Sequence, residues 1–309
     1  MNTRLASPAS PASPASPAPL TASGTLSSPR TLTRPALTGP GRSLAPMFRR
    51  IWALMYRHLA LYRRSWPRLL ELAYWPILQM CIWGFTARFL ATRMGNPGLL
   101  AGATLLGGVL LWEVTLRSQM GMSLSFLEEI WSRNLGHIFV SPLRPFELVI
   151  ALIGMSIIRM LLGVMPAILL AWALYAFNLF SVGPVLILFF VNLMIMGWAV
   201  ALGVVSLVLR HGAGAEPLAW GVLFGLAPFS AVFYPVSVLP SFVRPIAYAL
   251  PTTHVFEGMR AALLQGVIRW DHLAAAFALN IIWIVGAAWL FSRQFHAARV
   301  SGALISIGE

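Results

Sequence analysis

From residue 69 onward the chain alternates long apolar runs with short breaks that carry arginine. Crossing a bilayer's hydrocarbon takes about 20 helical residues at about 1.5 Å each. Six runs reach that length: Leu69–Leu90, Gly98–Gln119, Phe146–Phe177, Pro184–Leu209, Leu218–Leu239 and Leu273–Ser292. The pattern predicts an all-α membrane protein with six transmembrane helices. The second run continues in helical rhythm beyond the membrane, and the third is long enough to emerge on one side. The fourth carries no charge. The fifth holds Pro228 and Pro235.

Residues 47–64 read differently. Phe48, Ile51, Trp52, Met55, Leu59 and Tyr62 recur at helical spacing, with Arg49, Arg50, Arg57, His58, Arg63 and Arg64 between them. This predicts an N-terminal interfacial amphipathic helix, apolar face down in the headgroup layer. A soluble amphipathic helix docked on a partner is the other reading of the same pattern. Upstream, residues 1–46 repeat Ser, Pro and Ala and then turn to Ser, Thr, Pro, Gly and Arg. Such a segment buries too little apolar surface to offset its chain entropy, so a disordered extension is expected. No signal-peptide-like apolar core follows Met1. The organisation expected is a 1–46 extension, a 47–298 membrane domain and a short cytoplasmic tail at 299–309.

Two polar stretches interrupt the runs. Residues 126–147 follow the second run. There Glu129 and Arg133 stand four apart and are expected to brace a short helix, with Trp131 and Leu135 on another face. Pro142 and Pro145 end or turn the element. A braced helix that displays Trp beside charges suits partner docking; an ordinary amphipathic connector fits the residues equally. Residues 236–270 are too apolar for a free loop and too broken by Pro240, Pro245 and Pro251 for a straight span. A re-entrant or interfacial helical hairpin between spans five and six is expected. His254 and Glu257, three apart, suggest a metal or acid–base pair only weakly; a structural or capping role is the plainer reading.

Charge placement orients these elements. With the N-terminus cytoplasmic, twelve arginines near span ends fall inside (49, 50, 57, 63, 64, 68, 117, 133, 144, 210, 293, 299). Five (88, 93, 244, 260, 269) fall outside. The bias predicts both termini inside and an even number of crossings. Within the runs, Glu113 and Arg117 are four apart and can pair on one face. Arg159 either faces the transport path or Glu113, or sits near the boundary and is neutralised locally.

Composition narrows the function. Apolar residues make up 58% and charged residues 10% of the chain, against about a quarter charged in soluble domains. The net charge of +13 raises nucleic acid as a partner, but the arginines lie between apolar runs rather than on one polar face, so no nucleic acid is expected. All 22 basic residues are Arg. A phosphate-cradling Walker A loop ends in Lys, so this chain holds no such loop. Cys81, the single cysteine, excludes an intramolecular disulfide, and no Cys/His spacing suggests a metal. The spans lack the series of acidic residues expected of an ion-driven pump.

Three stretches carry a family resemblance. They are 63–76 with 82–85 (Arg-Arg-Ser-Trp-Pro through Trp-Pro, then Ile-Trp-Gly-Phe), 128–135 with 141–145 (Glu-Glu-Ile-Trp-Ser-Arg-Asn-Leu, then Ser-Pro-Leu-Arg-Pro), and 229–240 with 247–260. In this order the chain resembles the permease subunits of ABC-2 type ATP-binding-cassette exporters over about residues 47–298. The resemblance implies six membrane helices working as a dimer, an amphipathic cargo, and a separate ATPase subunit that binds ATP and Mg, leaving this chain without cofactor. It implies that Glu128, Glu129, Trp131, Arg133, Asn134 and Leu135 couple to that ATPase. It implies that Pro240, Pro245, Tyr248, Pro251, His254, Glu257 and Arg260 line the outer exit. The setting implied is a bacterial cytoplasmic (inner) membrane, with membrane lipid as a further partner and a lipid-linked saccharide, lipid or drug as cargo. Two other classes stay open on the residues alone. One is a membrane lipid-modifying enzyme using His254, Glu257, Arg260, Asp271 and His272. The other is an ion-coupled secondary transporter.

Overall fold

The computed structural model describes residues 44–134 and 143–300. Residues 1–43 of the extension expected at 1–46, the coupling residue Leu135, Pro142 and residues 301–309 of the tail expected at 299–309 lie outside the described residues. Among those described, every regular element is helical. The helices are α1 (Leu44–Arg64), α2 (Trp66–Met94), α3 (Asn96–Trp131), α4 (Pro145–Tyr175), α5 (Val185–His211), α6 (Leu218–Leu226), α7 (Arg244–Tyr248), α8 (Pro251–Gln265) and α9 (Trp270–Val300).

α3 is the central element. It is buried almost continuously from Leu106 to Ile130 and packs on α2, α4 and α5, while α9 packs on α5 and α8. Apolar attraction does not drive helices together inside lipid, so close approach depends on small residues. Gly121 of α3 is one such point. A Cβ there would lie 2.9 Å from the Ser156 Cα of α4. α2 leads away from α1 and turns at Gly95; α3 returns, so that the end of α3 and the start of α4 lie beside α1.

Four helices, α3, α4, α5 and α9, are long and apolar enough to cross a membrane. α2 has the length, 29 residues or about 43 Å, but carries Arg68, Glu71, Arg88 and Arg93. The fifth predicted span is corrected by the structure. Leu218–Leu239 is not one helix: α6 stops after nine residues, about 14 Å. A 3-10 turn at Ala227–Phe229 and irregular backbone follow. Pro228 and Pro235 donate no backbone hydrogen bond, and the helix cannot run through both.

That irregular backbone is packed inside the bundle. A Cβ on Gly108 of α3 would meet the Val232 carbonyl oxygen at 2.5 Å, so only glycine admits the loop here. Pro240 leads into α7. Pro245 and Pro251 each occupy the first turn of a helix, α7 and α8, where a missing N–H costs nothing. The segment predicted as a hairpin of short helices is thus two helices of five and fifteen residues.

Candidate functional site

The end of the bundle that holds α1 gathers most of the buried charge. α1 lies on α4, where Met55 covers Gly154 and Ile51 and Leu54 are buried. That docking carries Arg57 and His58 to the last turn of α3. Arg57 Nη1 donates to Glu129 Oε2 at 2.9 Å, and Asn134 Nδ2 donates to the same oxygen at 2.7 Å. His58, 2% exposed, lies between two carboxylates, with Nε2 3.0 Å from Glu129 Oε1 and Nδ1 3.4 Å from Glu128 Oε2. Neither contact has hydrogen-bond alignment, so His58 is held by charge more than by directed bonds.

Arg159 of α4 completes the cluster. Its Nη2 donates to Glu128 Oε2 at 2.8 Å, and its guanidinium stacks 5.0 Å over the Tyr62 ring of α1. Arg68 of α2 approaches Glu128 at 3.9 Å. A second clamp lies one step along α1. Arg50 binds Glu147 through Nε at 3.0 Å and Nη2 at 2.5 Å, and Glu147 also accepts from the Arg144 backbone N–H at the start of α4. Burial is the largest influence on His58 and pulls its pKa down; Glu128 and Glu129 together outweigh it and hold the pKa above the ordinary histidine value.

One pairing expected from spacing, Glu129 with Arg133, is not formed, and Arg159 takes the second of its two expected placements, neutralised locally by Glu128. Glu129 does not brace Arg133: its carboxylate points back to α1, and Arg133 sits exposed with φ +52° in the turn that ends α3. Arg159 does not face Glu113: Glu113 keeps its own neighbour Arg117 at 3.1 Å, four residues on. Glu128 and Glu129 therefore face inward. Trp131 is exposed, and its Nε1 donates to Glu216 Oε2 at 3.3 Å, in the loop before α6. About three turns below, Gln119 Nε2 donates to the Ala219 carbonyl at 3.0 Å and to Ser123 Oγ at 3.1 Å. α3 thus grips the start of α6 twice.

At the opposite end, Arg260 is 9% exposed. Its Nη2 donates to the carbonyls of Ala231, Val232 and Tyr234, and its Nη1 to Glu257 Oε1. Glu257 in turn accepts from the Val236 N–H at 2.8 Å. The two residues staple the irregular backbone to α8. Tyr248, Pro240 and Pro245 are exposed, while Pro251 is buried. His254 Nε2 lies 3.0 Å from the Tyr248 carbonyl, and its Nδ1 lies 3.3 Å from His272 Nδ1. Among the described residues no three His, Cys, Asp or Glu side chains converge as a metal site would need.

Arg57, His58 and Glu216 were not singled out as partners of these glutamates and of Trp131. They lie 70 to 85 residues away along the chain, beyond any local spacing rule. The only sequence signal was that buried carboxylates need partners.

The comparisons agree with this architecture. The chain is 28% identical over 166 residues to the ABC transporter G family member 20 of Dictyostelium discoideum. That stretch is 53% of this chain but 22% of the relative's length. The family model described as "ABC-2 type transporter" matches residues 49–264, from the second turn of α1 to the end of α8. The chain belongs to the ABC-2 type transporter family.

Proposed function

We propose that this chain is the membrane-spanning permease subunit of an ATP-driven exporter, paired with a second copy and worked by a separate ATPase subunit. The carrying observation is the continuity of α3. One unbroken helix joins the exposed Trp131 and the Arg133 turn, through the Glu128–Glu129 cluster, to the buried Glu113–Arg117 pair. A push on its end reaches α1 through Arg57 and His58, α4 through Arg159, and α6 through Glu216 and Gln119. The permease supplies contacts that differ between its states, and ATP binding elsewhere selects among them.

The ATPase docks at the α1 end, against Trp131 and Arg133. That side is the cytoplasmic face of a bacterial inner membrane, with both termini read as cytoplasmic from the placement of arginines. The cargo is amphipathic, a lipid, lipid-linked saccharide or drug, which suits spans poor in charge. Residues 240–262 border the outer exit.

The test replaces Trp131 and Arg133 together by Ala. Both are exposed at the end of the fold, so the purified variant loses the surface Trp131–Glu216 bond but stays folded. Its co-purification with the ATPase encoded beside it falls at least several-fold, or hydrolysis continues without transport. Unchanged docking and transport would sink the docking assignment. Transport by the isolated chain in vesicles, driven by an ion gradient alone, would sink the whole reading.

A further inference from the structure

Away from α1, the helices α2, α3 and α4 leave a cavity of about 220 Å³. Small side chains create it: Ala87 and Ala91 of α2, and Gly102 and Ala103 of α3. Tyr175 closes its floor, with its hydroxyl donating to the Cys81 carbonyl at 3.3 Å. The lining is apolar except at one point. Arg88 stands at the mouth, exposed, and no hydrogen bond or ion pair to it is found among the described residues.

Its surroundings make that unusual. Phe85 and Phe89, 62% and 57% exposed, flank Arg88 on α2 and face outward as lipid-contacting side chains do. Arg88 lies six residues before the end of α2 at Met94, about 9 Å along the axis. Arg93, nearer the end, is already placed over the Phe89 ring at 5.5 Å. A guanidinium beside hydrocarbon requires a counter-anion or a route to the headgroups, and guanidinium matches phosphate oxygens in a forked geometry. The described residues offer Arg88 no carboxylate.

We infer that this cavity is a binding site for an anionic phospholipid of the surrounding bilayer, with the headgroup phosphate on Arg88 and one acyl chain in the small-residue cavity between α2, α3 and α4. The inference rests on the chain being a membrane protein, not on which cargo it moves. Its test needs neither ATPase nor transport, so the two readings fail separately.

The purified chain in detergent is unfolded by heat with added phosphatidylglycerol, phosphatidylcholine or glycerol phosphate, and lipid retention is read by native mass spectrometry. Phosphatidylglycerol raises the midpoint by several degrees and is retained one per chain. Phosphatidylcholine gives a smaller shift, and glycerol phosphate, which has no acyl chain, gives none. Arg88→Gln removes the difference between the two lipids; Arg88→Lys keeps part of it. Ala103→Leu, which fills the cavity, removes the gain while the charge remains. Retention that does not distinguish the two lipids overturns the site. So does a difference that survives Arg88→Gln. A glycerol phosphate shift equal to that of the lipid overturns the acyl-chain half and leaves a free-anion site. Preferential retention of a cargo amphiphile over phosphatidylglycerol overturns the choice of occupant.

Discussion

His58 illustrates how much one side chain depends on residues far from it. An isolated buried imidazole stays neutral; here burial is outweighed by Glu128 and Glu129, and the folded pKa is raised above the unfolded value of about 6.5. The sign of the linkage follows. The folded state binds the proton more tightly, so the stabilisation is complete below about pH 6.5 and is lost as pH rises through the folded pKa. Thermal midpoints measured across that window fall with rising pH, and His58→Gln flattens the slope. An identical slope in the variant would assign the pH dependence elsewhere. Arg260 works by other means. Its donors satisfy three carbonyls left open where the fifth run unwinds, groups that would each cost about 1–3 kcal/mol if buried unpaired.

At the scale of elements, the chain's periodicity located its helices well and their neighbours poorly. The amphipathic stretch 47–64 is a helix, yet its apolar residues serve two surfaces. Ile51, Leu54 and Tyr62 turn inward, while Phe48, Trp52 and Tyr56 form an outward ridge, 62%, 60% and 57% exposed. A period of 3.6 tells which positions are apolar; it does not tell whether protein or lipid covers them. The same limit hid the Glu128–Glu129 cluster, whose partners come from α1, α2 and α4. The prolines of the fifth run were visible in the sequence, but counting apolar length overrode them. The ridge is checked with nitroxide labels at two positions in vesicles. A label at 52 is mobile and relaxed by oxygen dissolved in lipid, and one at 54 is immobile and shielded. Equal shielding at both would return the ridge to a protein contact.

The whole molecule is organised around α3, and its crossings leave little slack. At Gly121 the added side chain of a Gly121→Leu variant would collide with the α4 backbone at Ser156. Overpacking of this kind costs about 1–3 kcal/mol. The unfolding midpoint drops accordingly, while the docking proposed above for Trp131 and Arg133, ten residues and more away, is retained. A variant with the parent's midpoint would mean that the two helices can separate there freely.

The off-centre position of that crossing has a geometric result. Gly121 lies ten residues from Trp131 and twenty-five from Asn96, about 15 Å and 37 Å along the axis. Were α3 to tilt rigidly about Gly121, one ångström of sideways displacement at its short arm would become roughly two and a half at the long arm.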